Sequence, residues 1–150
     1  KCIAWGGYAR CFGITGEVNK MISDVTFRDC AVIYRDGIWD NDRIGSLVVV
    51  AEQTKGGIDG VLFENIEIFR DEGRPILVKI YDEEAENFEI KNVVFKNISY
   101  TSYMSPKIAG TDSNTSTVQV ELDGITDNGK KLQSPKTRFI IGNYCEVTSE

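Results

Sequence analysis

Apolar and polar residues alternate along much of this chain, and the alternation returns as a phrase three times: Ile22-Ser-Asp-Val-Thr-Phe-Arg-Asp-Cys30, Ile58-Asp-Gly-Val-Leu-Phe-Glu-Asn-Ile66 and Ile90-Lys-Asn-Val-Val-Phe-Lys-Asn-Ile98. A period of two predicts strands with one buried face. Each phrase closes on Asp29, Asn65 or Asn97, residue types that tolerate a left-handed backbone, so each reads as strand, bend, next strand. A weaker fourth copy, Val118-Gln-Val-Glu-Leu-Asp-Gly-Ile125, puts Leu122 where the phenylalanine stood and Gly124 where the asparagine stood, a replacement that a left-handed bend accepts. A truncated copy opens the chain, with Cys2 in the place of Cys30, Ile66, Ile98 and Ile125.

The second half of each unit repeats less cleanly, as Phe12-Gly-Ile-Thr-Gly-Glu17, Leu47-Val-Val-Val-Ala-Glu52 and Ile76-Leu-Val-Lys-Ile-Tyr81. Two or three short strands per unit of about 27 to 36 residues, with no helical periodicity, predict an all-β parallel β-helix of about four to five coils. Equivalent residues of successive coils then lie roughly 4.8 Å apart. Phe27, Phe63 and Phe95 form a stacked core, each ring worth roughly 1.5 to 3 kcal/mol when buried, and Asp29, Asn65 and Asn97 form a structural ladder of side-chain hydrogen bonds.

After Ser99 the regularity decays. Tyr100 to Lys107 and Gly110 to Ser116 read as loops, Asp127-Asn-Gly-Lys-Lys as a tight turn, Arg138 to Tyr144 as a final strand, and Glu146 to Glu150 as a polar tail. The whole of residues 1–150 is one domain, with regular coils over about 2–125 and a strand and cap over 126–150. Because the chain opens on Lys1-Cys2 in the middle of a coil, where strand edges would be unpaired, it is read as the C-terminal portion of a longer helix. The missing N-terminal coils of the same protein are then its natural partner.

Composition narrows the functions. A net charge of −6 argues against nucleic acid, and no apolar run approaches the roughly 20 residues that a membrane-spanning helix needs. Histidine is absent, which removes Ser-His-Asp and Cys-His nucleophile systems and the usual Cys/His metal sites. Trp5-Gly-Gly-Tyr and Lys55-Gly-Gly-Ile lack the Lys-Ser/Thr ending of a phosphate loop, so neither metal nor cofactor is expected. Cys2 and Cys30 fall at one ladder position as small apolar residues, although a stacked pair at strand spacing is also close enough to bridge; Cys11 and Cys145 have no evident partner.

Carboxylates with aromatics remain, the materials of sugar-processing sites. The connector Tyr34-Arg-Asp-Gly-Ile-Trp-Asp-Asn-Asp-Arg43 carries Asp36, Asp40 and Asp42 beside Trp39, and stacking sets it next to Trp5-Gly-Gly-Tyr-Ala-Arg10 and Arg70-Asp-Glu-Gly-Arg74. Trp5, Tyr8 and Trp39 offer flat faces to sugar rings, while Asp36, Arg10, Arg43 and Arg74 offer hydrogen bonds to hydroxyls. The alternative is a set of solvated acidic loops pairing with neighbouring arginines. Asp40 and Asp42 are the candidate catalytic acids: two apart on a strand they would share a side, and mutual repulsion would raise one pKa. Arg10, Arg43, Arg74 and Lys107 form a basic ladder that needs interleaved acids, for which Asp42 and Glu72 are available, or an anionic ligand.

The Val-x-Phe-x-Asn-Ile phrase, with Ile76-Leu-Val-Lys-Ile-Tyr81 and Ile90 to Ile98, resembles the late coils of the pectin lyase-like right-handed parallel β-helix proteins, and most closely polygalacturonase-like glycoside hydrolases. Those enzymes share an Asn-Thr-Asp, an Asp-Asp pair, a Gly-His-Gly and an Arg-Ile-Lys. Only the last has a counterpart here, Val78-Lys79-Ile80. The resemblance implies a right-handed coil, an extracellular or cell-surface location, an inverting two-carboxylate hydrolysis of an extended poly- or oligosaccharide, principal catalytic acids outside this chain, and Lys79 as a substrate contact. A non-catalytic carbohydrate-binding module and a structural or adhesion β-helix are the alternatives.

Overall fold

The computed structural model describes residues 1–150. Thirteen strands and one short 3-10 turn follow in order: β1 Ile3–Gly7, β2 Arg10–Val18, β3 Met21–Arg35, β4 Gly45–Thr54, β5 Gly57–Asp71, β6 Ile76–Ile80, β7 Glu89–Ser102, β8 Lys107–Ala109, β9 Thr117–Asp123, β10 Thr126–Asp127, β11 Lys130–Lys131, the 3-10 turn Pro135–Thr137, β12 Ile140–Ile141 and β13 Cys145–Ser149. They form two sheets: one ordered β1-β3-β5-β7 and continuing to β9-β13 and to β10-β11, the other ordered β12-β8-β6-β4-β2. All pairs are parallel except the β10–β11 hairpin. Each turn of chain therefore lays down one long and one short strand, giving an all-β parallel solenoid of about four turns. No helix is long and apolar enough to cross a membrane.

The register is the one the repeated phrase predicts. Phe27 lies opposite Phe63, Phe63 opposite Phe95 and Phe95 opposite Leu122. In the second sheet Phe12 pairs with Leu47 and Leu47 with Ile76. A one-residue slip would turn each buried set outward, so the core fixes this alignment. The three rings stack with centroids 5.0 and 4.8 Å apart, and Phe63 and Phe95 are wholly buried.

Asp29, Asn65 and Asn97 adopt φ of 55°, 55° and 52°, with Gly124 at 65°. Their side chains form the expected ladder, Asn97 Nδ2 donating to Asn65 Oδ1 at 2.9 Å and Asn65 Nδ2 to Asp29 Oδ1 at 3.0 Å. A second row of left-handed residues, Asp24, Gly60 and Asn92 at 56°, 83° and 52°, bends the same strands earlier. It escapes sequence reading because a glycine stands between the two acidic or amide residues and no fourth copy extends it.

Several expectations change. Tyr100 to Ser102, read as loop, complete β7, and Lys107 opens β8; the strand expected over Arg138 to Tyr144 is only Ile140–Ile141 and is not the last. Trp5 belongs to β1, opposite Tyr34, and not to a connector; Gly6, at φ 68°, bends the strand without ending it. Glu146 to Ser149 is no free tail but most of β13, which pairs with Val118 to Leu122. All four cysteines are free thiols, in keeping with Cys2 and Cys30 as unbridged ladder residues, but of the two only Cys30 is buried, Cys2 being exposed on the first coil. The Asp127-Asn-Gly-Lys turn is the β10–β11 hairpin, with Asn128 and Gly129 both at positive φ, as a two-residue loop between antiparallel strands requires.

Candidate glycan groove

The short-strand sheet is apolar on both faces where β4 crosses it. Leu47, Val49 and Ala51 point into the main core, whereas Val48, Val50 and Leu77 form a small separate cluster against Tyr81. Over this outer face lies a groove of about 500 Å³ that Asp42, Arg43, Glu52, Lys79 and Tyr81 help to line. Lys79 is among the candidates the sequence offers; Glu52 and Tyr81 read there only as strand residues.

The connector from Asp36 to Ile44 supplies the groove's upper side. Residues 41–43 form a turn, closed by Asp40, whose backbone carbonyl accepts from the Arg43 and Ile44 amides and whose Oδ1 accepts from the Asp42 amide at 3.1 Å. Asp40 and Asp42 therefore do not stand on a strand as a matched pair of acids. The Asp40 carboxylate also meets Arg43 Nε at 3.5 Å, so its evident work is to close the turn. Asp42 instead reaches two lysines, Lys107 Nζ at 2.6 Å and Lys79 Nζ at 3.2 Å. Burial pushes its pKa upward, but the bonds from Lys107 and Lys79 outweigh that and hold the carboxyl below its ordinary range. The raised pKa expected of a general acid is thus reversed at Asp42.

The basic ladder is internally compensated. Arg10 donates to Glu52 Oε1 at 2.8 Å and to the Arg43 carbonyl at 2.9 Å. The Arg43 guanidinium lies 4.2 Å above the Tyr81 ring, and Lys79 Nζ is 5.0 Å from the same ring. Arg74 donates to the carbonyls of Asn41 and Ser105 at 2.8 and 2.6 Å; burial lowers its pKa and Asp42 opposes the shift. Asp42 is the interleaved acid that was expected, but Glu72 is not, since it pairs with Arg70.

The aromatics divide. Tyr8 and Trp39 stack at 6.5 Å between centroids with 23° between planes, both more than half exposed. Trp39 immediately precedes the turn that delivers Asp42 and Arg43, so this platform and the ionic groove share a connector. Trp5, 80% exposed, stands apart on β1 with no aromatic partner, and Asp36 is exposed without an ion pair.

Beneath the connectors lies a pair that sequence reading missed. Arg35 and Asp71 are fully buried and joined twice, at 2.6 and 3.0 Å. Arg35 also donates to the carbonyls of Gly37 and Ala9, and Asp71 accepts from Ser46 Oγ and the Gly73 amide. One ion pair thus holds the connectors of three successive coils. Cys11 lies beside it, its thiol pushed up to about 11, chiefly by burial and against the pull of Arg35, so it stays protonated and unreactive near neutrality.

The Asp42 geometry sets a pH dependence. Its folded pKa lies below the unfolded one, so its contribution to stability is present above the ordinary carboxylate range and is lost as pH falls through the lowered folded value. Asp42→Asn is expected to flatten the acid limb of a Tm-against-pH curve and to lower Tm at pH 7, where Lys79 and Lys107 would face each other uncompensated. A parallel acid limb in the variant would remove Asp42 from that role.

Fold and site together define a parallel β-solenoid with an ionic groove on the outer face of its short-strand sheet and an exposed aromatic pair whose Trp39 shares a connector with it. No protein-family model, no curated protein and no solved structure matches this chain. No group of three or more acidic, histidine or cysteine side chains is arranged to hold a metal ion.

Proposed function

We propose that this chain forms the glycan-binding coils of a secreted or cell-surface β-solenoid that acts on an extended polysaccharide, akin to the C-terminal coils of polygalacturonase-like glycoside hydrolases. The observation that carries the reading is that one connector supplies both Trp39 of the Tyr8–Trp39 stack and Asp42 and Arg43 of the groove that Lys79 and Tyr81 also line. A sugar ring offers apolar C–H faces to an aromatic platform, and hydroxyls to fixed charges and carbonyls. Lys79 stands in the groove where the resemblance would put a substrate contact.

An inverting hydrolase needs one protonated acid and one base about 6.5 to 9.5 Å apart, and Asp42 is held ionised by two lysines. In the hydrolase reading the principal acids therefore come from other coils. The same ion pairs favour the second reading, a non-catalytic carbohydrate-binding module. A glycan array with the 150-residue chain and its Trp39→Ala variant tests the shared claim: binding is expected, weakened about tenfold or more by loss of the platform. Binding that ignores Trp39, or no binding, would sink it. Hydrolysis of a bound polysaccharide would select the enzyme.

A further inference from the structure

Two tripeptides of this chain carry the acceptor pattern for N-linked sugars, Asn97-Ile-Ser99 and Asn114-Thr-Ser116. Both asparagines are exposed, yet the fold treats them differently. Asn97 is a bend residue at φ 52°, and its Nδ2 donates to Asn65 Oδ1 at 2.9 Å. On the next coil stands Gly124, where an added Cβ would lie 3.6 Å from the Asn97 backbone. A sugar bonded to Asn97 Nδ2 would replace one of its two hydrogens and set a ring at strand spacing from the neighbouring coils of the ladder.

Asn114 lies on the turn between β8 and β9. The bonds that hold this turn run through its neighbours. Thr115 Oγ1 accepts from the Asn87 amide at 3.1 Å. Ser116 Oγ accepts from the Phe88 amide at 3.2 Å and donates to the Ala85 carbonyl at 2.9 Å. The Ser113 amide donates to Thr111 Oγ1 at 3.1 Å. The turn is thus pinned to the connector from β6 to β7, and the Asn114 carboxamide is left free at its surface. Asn114 belongs to neither the groove nor the Tyr8–Trp39 stack.

We propose that Asn114 is the attachment site of an N-linked oligosaccharide and that Asn97 is not. This rests on the extracellular part of the reading above, since the donor, an oligosaccharide on a polyprenyl pyrophosphate, is met on the secretory route. In the transfer Asn114 Nδ2 bonds to C1 of the first sugar and gives up one proton, while the bond from C1 to the pyrophosphate oxygen breaks and polyprenyl pyrophosphate leaves. The product is a bulky, neutral group on an exposed turn, and every bond that holds the turn is kept. The fold also sets the order of events. The hydroxyl that the pattern requires belongs to Ser116, which is wholly buried and bonded to the β6–β7 connector. Transfer therefore precedes closure of that connector: the emerging chain is a substrate and the folded protein is not.

The test is cell-free synthesis of the full chain behind a secretory leader, in the presence of microsomes that hold the transferase and its donor. In a second arm the folded chain is given to the same microsomes opened with detergent. Digestion with a peptide N-glycosidase then adds water at the sugar-bearing amide, frees the glycosylamine and leaves a carboxylate, which tandem mass spectrometry locates. Conversion is expected at Asn114 in the first arm, at neither asparagine in the second, and at Asn97 in none. Asn114→Gln should abolish the modification; its position is exposed, so an unchanged thermal melt checks that the variant folds. An unmodified Asn114 in the first arm, conversion at Asn97, or equal modification of the folded chain overturns the proposal. The assay itself supplies the lumen, so these failures are separate from failure of the extracellular reading, which recovery of the native chain only from the interior of its own cells would show.

Discussion

Arg35→Met is expected to cost about 3 to 5 kcal/mol of folding stability, the range for breaking a buried ion pair from one side. Both partners are inaccessible to solvent, so the Asp71 carboxylate cannot turn to water when the guanidinium is gone. The carbonyls of Ala9 and Gly37 lose a donor in the same stroke. Guanidinium denaturation followed by circular dichroism measures the loss. Arg28→Met, which breaks a mostly exposed contact with Glu64, should stay within about 1 kcal/mol. Arg35→Met/Asp71→Leu should recover part of the deficit, because it removes the stranded charge along with its partner. If Arg35→Met were as mild as Arg28→Met, the pair would not be what secures the connectors.

The second large effect belongs to the phenylalanine ladder. Phe63→Ala should destabilise by about 3 to 5 kcal/mol, the cost of a lost ring and the cavity it leaves. Phe63 has a ring on either side, at 5.0 and 4.8 Å, and no exposed edge. Phe27→Ala should cost clearly less, since Phe27 lies toward the first coil and is already partly exposed. The ordering of the two in one denaturation series is the informative result. Equal losses would mean that the rings do not act as a stack.

What could be read from the sequence follows from where the repeat speaks. A solenoid places equivalent residues side by side, so Phe27, Phe63 and Phe95 announce both the strand and its neighbour, and the Asp29, Asn65 and Asn97 bends announce the corners. The connectors carry no repeat, so their geometry had to come from contacts. Asp40 and Asp42 would share a side only on a strand, and in the connector Asp40 bonds its own turn instead. The Arg35–Asp71 pair was present as a signal: the two are 36 residues apart, the interval that separates Asp29 from Asn65. Opposite charges at equivalent ladder positions mark a buried pair between coils, and a search for chemistry in exposed loops passes over it. Cys145-Glu-Val-Thr-Ser149 is too short to signal a strand alone; only its pairing with β9 reveals it.

The connector from Asp36 to Ile44 does two things at once. Its buried root is fixed by Arg35, and its outer part leaves Trp39 exposed against Tyr8 and sets Asp42 and Arg43 in the groove. A loop tied down in this way can present a flat aromatic and fixed charges with little ordering cost on binding.

The measurement that bears most directly on this account is a nuclear magnetic resonance titration of the chain with an oligosaccharide drawn from the array. Binding in the groove predicts backbone amide shifts concentrated at Tyr8, Trp39 to Arg43, Lys79 and Tyr81, with the Phe63 and Phe95 amides unmoved. Shifts that avoid the connector, or none at saturating sugar, would contradict the assignment of this face as the glycan site.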